Sequence, residues 1–187
     1  MKHLGPVAGE DHGLTHKGGI VADLNQSLAE NRRILRELLD TIRACETNWN
    51  QPAAPGKWSP AQITEHLARS LEESALVVRG TKNNFPVLPA FLRPVIRLFF
   101  LRILRKEHLP RARTSRAFNP VTGSATAAAG AARLEAALLT LEQDCRTRVA
   151  GGLQVHSGIF GTVGVGDFAR FQGLHMRHHH AQYTRIL

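Results

Sequence analysis

The residues with the clearest chemical signal lie near the end of the chain, where four of the ten histidines fall between positions 175 and 180. His175 and His179 are four residues apart, so on a helix they project from the same face, one turn from each other. Two imidazoles with this spacing can bind a single metal ion, as they do in helical zinc sites. The apolar stripe of the predicted helix runs through both positions, and burying two imidazoles is costly unless they are paired or bound to a metal.

A third imidazole would have to come from another part of the chain, and His66 is the natural candidate. It lies on the apolar face of a second predicted helix, so it should turn towards the interior. The residues alone leave a second interpretation open. A single histidine on an apolar face is more often a hydrogen-bonded core residue than a ligand, and the run from Arg177 to His180 could be a solvated polar face.

Four segments have the apolar spacing of long helices, which would position these side chains. They cover roughly residues 20–45, 60–78, 124–150 and 165–185. The second has the clearest start, because Ser59 is a typical N-cap, Pro60 suits the first helical position and Gln62 completes a capping box. Trp58 should pack on Ile63 as a hydrophobic staple.

These elements predict an all-α fold, an antiparallel four-helix bundle with a basic, proline-rich insertion between helices 2 and 3. No segment shows the alternation of a strand, and the glycine-rich residues 151–166 are predicted to be a connection. Five prolines divide the insertion, residues 80–120, which includes one short basic helix over residues 94–106. Arginines interrupt this stretch too often for it to span a bilayer.

The net charge of the chain is concentrated in this insertion. The 24 lysines and arginines exceed the 15 acidic residues, which gives a net charge of +9. Between Arg79 and Arg116 there are ten basic residues and one acid, Glu107, so this segment alone accounts for the excess. Basic residues mixed with phenylalanines are typical of a membrane-surface helix or a nucleic-acid patch. The favoured interpretation is that the insertion covers the bundle, with aromatic side chains inward and arginines in solvent.

The length of 187 residues and the hydrophobic content of 43% fit one domain with its own core. We therefore divide the chain into a flexible N-terminal arm, residues 1–19, and one helical domain, residues 20–187. The arm has charges and glycines but no apolar run, so it does not resemble a secretory signal. Cys45 and Cys145 have no metal-ligand spacing, and we expect them to be free thiols in a reducing cytoplasm.

Two motifs give the chain a family resemblance. Residues 58–67, Trp-Ser-Pro-Ala-Gln-Ile-Thr-Glu-His-Leu, are similar to the second-helix signature of the DinB-like superfamily. The C-terminal signature of one uncharacterised branch reads His-Pro-x-Phe-Gly, then an acidic residue with Trp, then His-x-x-His-His-x-x-Gln. The segments of this chain that resemble it are residues 156–161, 167–168 and 175–182. The proline of that signature is replaced here by Ser157-Gly158.

The resemblance covers roughly residues 20–187 and implies a four-helix bundle with a three-histidine site for Zn²⁺, Ni²⁺ or a similar ion. The matching positions are His66, His175 and His179. Characterised relatives include thiol-dependent S-transferases and a maleylpyruvate isomerase that uses low-molecular-weight thiols, and others are described as metal-dependent hydrolases. We therefore expect a metal-dependent enzyme of the thiol S-transferase or hydrolase type that acts on a small molecule. The alternative is a non-catalytic, metal-stabilised structural or binding protein. Such a protein could form a dimer, or its residues 79–116 could contact a membrane or a nucleic acid.

Three neutral imidazoles would leave open coordination positions, where a metal lowers the pKa of water or of a thiol. We expect metal affinity to fall as the pH drops through about 6.5, where free imidazole is protonated. His178 and Gln182 lie beside the predicted ligands and could orient them. Glu65 points about 100° away from the site and is predicted to be on the surface. His156 is predicted to make a structural hydrogen bond, and His180 to lie on the outer face.

Overall fold

Helices account for most of the structure, a computed structural model that describes residues 22–110, 114 and 118–187. Its five α-helices are α1, Leu24–Ala44; α2, Pro60–Arg79; α3, Arg93–Lys106; α4, Ala127–Ala150; and α5, Val165–Tyr183. Two antiparallel strands precede α5, β1 (Val155–Ser157) and β2 (Gly161–Val163), and short 3₁₀ helices lie at Glu46–Asn48 and Ala90–Leu92. The predicted all-α class is broadly confirmed. The predicted N-terminal arm lies outside the described residues.

The start of α2 follows its sequence signal. The Ser59 hydroxyl accepts a hydrogen bond from the backbone N–H of Gln62 at 3.3 Å, and the side-chain carbonyl of Gln62 accepts one from the Ser59 N–H at 3.0 Å. This is the predicted capping box, and Pro60 occupies the first helical position. Gly80 caps the other end with a left-handed φ of 79°, which a residue with a Cβ rarely adopts. Both ends of α2 are therefore fixed locally, and with them the direction in which His66 points.

The helix predicted to start near residue 20 begins at Leu24, after the N-cap Asp23, and two further features also differ from the prediction. The helix predicted to start near Ser124 begins at Ala127, because Thr126 caps it by accepting a hydrogen bond from the Ala129 N–H at 3.2 Å. Residues 151–166, predicted to be a connection, contain the antiparallel hairpin of β1 and β2. Strands of three residues are too short to show an alternating pattern, which is why the sequence did not reveal them.

The helices pack mainly in two pairs, α1 against α5 and α2 against α4, and α1 also contacts α4. Their facing sides form one apolar core, which includes the fully buried side chains of Leu38 on α1, Leu67 on α2 and Leu138 on α4. At Gly130 on α4 a Cβ would lie 2.9 Å from the ring of Trp49, so the helix can approach that ring only with glycine there. This shared core therefore fixes the position of α2, which carries His66, relative to α1 and α5.

Close contacts with α1 fix the position of α5. A Cβ at Gly173 would lie 2.3 Å from Oδ1 of Asn31, so glycine there leaves room for the Asn31 side chain between the helices. The side-chain amide of Asn31 donates a hydrogen bond to the Ala169 carbonyl at 2.9 Å. Asp167 accepts one from the Ala22 N–H at 3.1 Å. These contacts set the register of α5 along α1, and therefore the level in the core at which the histidines of α5 lie.

The insertion contains the predicted basic helix, which is α3. Phe100 is fully buried, and its ring centroid lies 4.6 Å from that of Phe160 and 5.5 Å from that of Phe171, which joins α3 to the hairpin region and to α5. Phe91 and Phe99 are exposed, so the expectation that the aromatic side chains turn inward is wrong for these two. None of the described helices is long and apolar enough to cross a membrane.

Candidate metal centre

Three histidines from two helices meet inside the protein. His66 lies in the second turn of α2, and His175 and His179 lie one turn apart on α5. His66 and His179 are buried, and His175 is partly buried. The structure therefore brings together the three side chains that were predicted as ligands.

The distances within the cluster suit a single ion. Nε2 of His175 lies 3.2 Å from Nε2 of His66 and 3.1 Å from Nε2 of His179, and the three ligand atoms all lie within 4.8 Å of one another. Zinc binds imidazole nitrogen at about 2.0–2.1 Å, so the two nitrogens of each pair that includes His175 are close enough to reach one ion. Three imidazole nitrogens this close together are a donor set that fits a divalent metal.

The outer ring nitrogens determine where the protons lie. Nδ1–H of His66 donates to the Phe118 carbonyl at 2.9 Å, and Nδ1–H of His179 donates to the side-chain carbonyl of Gln182 at 3.1 Å. Each of these neutral rings then has an unprotonated Nε2 next to His175. One proton on Nε2 of His175 cannot satisfy both lone pairs well, so the cluster has a surplus of acceptors. A cation between the three nitrogens would satisfy all of them.

The electrostatics of the site favour neutral imidazoles. Burial lowers the pKa of His66 and holds the pKa of His175 well below its ordinary value. Burial, with the charge of His66, lowers the pKa of His179 to about 3. Within the described residues, the cluster includes no carboxylate or thiolate that would stabilise a protonated ring. The neutral ring is the form that binds metals, so burial reduces the competition from protons.

Trp58 belongs to the site, although the sequence did not identify it. The centroid of its ring lies 5.0 Å from that of His66, and it stacks on His179 at a centroid distance of 6.1 Å. From the sequence, Trp58 was predicted only to pack on Ile63 as a hydrophobic staple. Trp58 precedes the N-cap Ser59 and is outside the helical repeat of α2, so its spacing to His66 gave no signal of this contact. The indole covers one side of the imidazole cluster.

The two residues predicted to orient the ligands both lie beside His179. Gln182 accepts its Nδ1 proton, as described above. The ring of His178 lies edge-on to that of His179, with 5.2 Å between centroids. Burial has the largest effect on the pKa values of the three clustered histidines, and a positive charge on His178 would lower them further. Gln182 therefore hydrogen-bonds to one clustered histidine, whereas His178 packs its ring against the same residue.

Two further histidines lie outside the cluster. Nδ1 of His156 is hydrogen-bonded to the Thr162 hydroxyl at 2.9 Å across the hairpin, which is the structural role predicted for it. His180 was expected on the outer face. It is instead partly buried against α1, where its Nε2 lies 2.8 Å from the hydroxyl oxygen of Thr41.

Glu65 is buried, and the prediction that it lies on the surface is wrong. Its carboxylate accepts hydrogen bonds from Arg69 on α2 and from Arg133 on α4, both at 2.5 Å. On α2 alone, Glu65 is directed about 100° away from His66, which suggested a position in solvent. The packing of α4 buries this second side of the helix and supplies the arginine that makes burial of the carboxylate possible.

The fold and the cluster together define a mostly helical protein with a buried three-histidine centre. The profile of one protein family matches residues 28–185, from within α1 to just beyond α5. The chain belongs to this family, DUF1569, which is described as a protein of unknown function. The matched region includes all three clustered histidines. No curated protein and no solved structure matches the chain.

Proposed function

We propose that the protein binds one divalent metal ion, Zn²⁺ or Ni²⁺, through Nε2 of His66, His175 and His179. In this proposal it is a metal-dependent enzyme of the thiol S-transferase or hydrolase type that acts on a small molecule. The main support is the convergence of three neutral imidazoles whose lone pairs outnumber their inward protons. The resemblance to the DinB-like superfamily adds to it. With that resemblance we assign α1, α2, α4 and α5 to an antiparallel four-helix bundle of this superfamily.

The number of ligands favours a catalytic site over a structural one. Structural zinc sites are almost always closed by four protein ligands, whereas catalytic sites have three and keep one position open. Within the described residues, the cluster contains three histidines and no fourth His, Cys, Asp or Glu. A divalent ion held there would lower the pKa of a water molecule or a thiol, or polarise a substrate carbonyl.

The charge of the cluster favours an anionic partner. Three neutral imidazoles leave the charge of a divalent ion uncompensated in a buried position, which is costly unless an anion lies beside it. A low-molecular-weight thiol that binds as its thiolate meets this requirement, as hydroxide does in a hydrolase, and the resemblance to thiol-dependent enzymes makes the transferase reaction the first to test. A reducing compartment suits such a thiol and the buried free cysteines Cys45 and Cys145, and we therefore propose a cytoplasmic location.

Other residues of the chain would orient the ligands and limit access to them. The Phe118 carbonyl and the Gln182 side chain accept the Nδ1 protons of His66 and His179, which keeps both Nε2 atoms turned towards the centre. Trp58 covers one side of these two rings. A substrate would therefore approach the cluster from the side that the indole leaves open.

Metal content is the first test. Protein purified without a metal-affinity tag should contain one metal ion per chain, and His175→Ala should lose it. His180→Ala is the matched control, because it removes a histidine of the same helix that lies outside the cluster. Loss of metal from His180→Ala together with its retention in His66→Ala would contradict the ligand assignment.

Cobalt substitution then separates the reaction classes. Co²⁺ has a visible spectrum that reports its ligands, and a bound thiolate adds a charge-transfer band in the near ultraviolet. A thiol-dependent transferase should show this band when a small thiol is added, and should turn over thiol–electrophile pairs. A hydrolase should lack the band and cleave esters in a His175-dependent reaction. Full metal occupancy without either activity would favour the metal-stabilised structural protein.

A further inference from the structure

The outer side of α3 and of the 3₁₀ helix before it exposes a concentration of apolar side chains. Phe91 is 77% exposed, Leu98 68%, Val95 65% and Phe99 46%. Of the eleven large hydrophobic residues that are exposed in the described part of the chain, six lie between positions 87 and 99. Single exposed hydrophobic residues are ordinary, but a concentration of them marks an interaction site.

This side of the helix continues into exposed basic residues. We define the α3 face as the exposed residues Phe91, Val95, Leu98, Phe99, Arg102, Arg105 and Lys106. Phe91 belongs to the preceding 3₁₀ helix, and the six others lie on one side of α3, which is apolar in its first half and basic in its second. The opposite side of α3 is buried through Phe100, Ile103 and Leu104. The helix is therefore held on the protein and presents the α3 face to solvent.

The cations of the α3 face are available to an external partner. The helix contains five basic residues and no acidic one. Within the described residues, no carboxylate forms an ion pair with Arg102, Arg105 or Lys106, since the adjacent Glu107 pairs with Arg170 at 2.8 Å instead. The α3 face thus combines unpaired positive charge with exposed apolar surface.

We propose that the α3 face binds the surface of an anionic lipid membrane. The helix would lie in the plane of the membrane, with its apolar half at the boundary of head groups and acyl chains and its basic half against lipid phosphates. Interfacial helices bind through apolar side chains at the acyl boundary and through lysine and arginine at anionic head groups, and the α3 face offers both on its one exposed side. A nucleic acid would satisfy the cations but would leave the apolar side chains in water, so the membrane accounts for both halves. This binding is independent of the metal site.

Vesicle sedimentation with the full chain tests this proposal. Vesicles of phosphatidylcholine mixed with phosphatidylglycerol should bind the protein at low salt, and the binding should weaken at high salt because ions screen the attraction. Vesicles of phosphatidylcholine alone should bind it far more weakly. Equal binding to both compositions, or binding to neither, would overturn the proposal.

Paired variants identify the surface responsible. Arg102→Gln with Arg105→Gln should weaken binding to mixed vesicles about 25-fold, since each cation near an anionic surface contributes about 5-fold. Leu98→Ser with Phe99→Ser should weaken it as well. The matched controls are Arg36→Gln on α1 and Leu139→Ser on α4, where Leu139 is 63% exposed, and both should bind like wild type. Thermal unfolding verifies that each variant is folded, and equal loss in the controls would exclude the α3 face.

A fluorescent label gives a readout that does not depend on loss of binding. Cys45 and Cys145 are fully buried, so a thiol-reactive dye can be directed to an introduced cysteine. A dye on Leu98→Cys should enter a less polar environment when mixed vesicles are added, whereas a dye on Leu139→Cys should not. If the Leu98→Cys dye responded only to duplex DNA or to protein concentration, the partner would be nucleic acid or a second copy of the chain, and the proposal would be wrong.

Discussion

Glu65 and His66 are adjacent buried residues on α2, and their side chains have different kinds of polar partner. The carboxylate of Glu65 accepts hydrogen bonds from Arg69 and Arg133. Burial alone would raise the pKa of Glu65, but the two guanidinium groups lower it overall. His66, the next residue, faces two other imidazoles, and burial lowers its pKa.

The difference separates a structural polar cluster from a candidate binding site. Around Glu65 every charge has a partner inside the protein, and Arg133 makes a second ion pair with Glu72 at 2.8 Å. Around His66 the inward lone pairs outnumber the protons that could satisfy them. One proton shared between two inward lone pairs satisfies them less well than two donors would, so the histidine cluster could accept an external cation, whereas the Glu65 cluster already holds its own.

The largest expected effect is on stability at mildly acidic pH. The pKa values of the clustered histidines are lowered on folding, so below about pH 6.5 the unfolded chain binds more protons than the folded one. Stability from this source is complete above about pH 6.5 and falls as the pH drops, by up to about 1.4 kcal/mol per pH unit for each imidazole that stays neutral. Urea unfolding of the chelator-treated protein across this pH range measures the effect.

The same experiment distinguishes the two clusters. Glu65 has a lowered pKa, so its contribution to stability is lost only when the pH falls below about 4.3, the ordinary carboxyl pKa. His175→Gln should make the loss below about pH 6.5 shallower, and Glu65→Gln should not. A wild-type stability that stayed flat from about pH 7.5 to about pH 5 would mean that the histidines titrate as in the unfolded chain. Because the pKa values of the clustered histidines are lowered, metal affinity should persist to a pH below about 6.5 as long as the protein is folded.

The next effect in size is the loss of metal on removal of one ligand. His175→Ala removes the imidazole that lies between the other two, and we expect at least about 100-fold weaker binding, beyond the 10–100-fold typical of losing a supporting residue. Competition with a chromogenic chelator measures the affinity. His180→Ala, which changes the contact with Thr41, should stay within a few-fold of wild type. Comparable losses in both variants would mean that the histidine-rich helix binds metal non-specifically.

Glu65→Ala should show the opposite pattern, with lower stability and unchanged metal affinity. Removing one partner of a fully buried ion pair costs about 3–5 kcal/mol. Here Arg69 and Arg133 are 42% and 38% exposed and regain hydration, so a loss of about 2 kcal/mol in the free energy of unfolding is expected. Urea denaturation and chelator competition on the same sample give both quantities. Strong loss of metal in this variant would mean that the two clusters are coupled.

Local signals made the two ligand helices predictable. The capping box at Ser59 and Gln62 fixed the start of α2 and so the direction of His66, and the structure reproduces it. The spacing of His175 and His179 needed only the helical repeat. These features involve residues within a turn or two of one another, which is why the sequence could specify them.

Features that depend on contacts between elements were not predictable in the same way. The burial of Glu65 requires Arg133, which is distant in sequence and comes from α4. The exposure of Phe91 and Phe99 depends on which side of α3 docks through Phe100, and alternating basic and aromatic residues did not specify that side. Tertiary packing decided each case, and no local pattern in the sequence encodes it.

The smallest expected effect concerns Gln182, whose side chain accepts the Nδ1 proton of His179 at 3.1 Å. Removing this acceptor by Gln182→Ala frees the ring to place its proton on Nε2, the atom that would bind the metal. Outer partners of ligand histidines typically account for 10–100-fold in affinity, and we expect the lower end, about 10-fold, because the helix still holds the ring in place. Gln182→Glu provides the discriminating control. A carboxylate accepts the same proton more strongly, so metal affinity should match or exceed that of wild type if the hydrogen bond is what matters. If Gln182→Glu weakened binding as much as Gln182→Ala, Gln182 would contribute by packing alone, and the tautomer of His179 would be set by the metal itself.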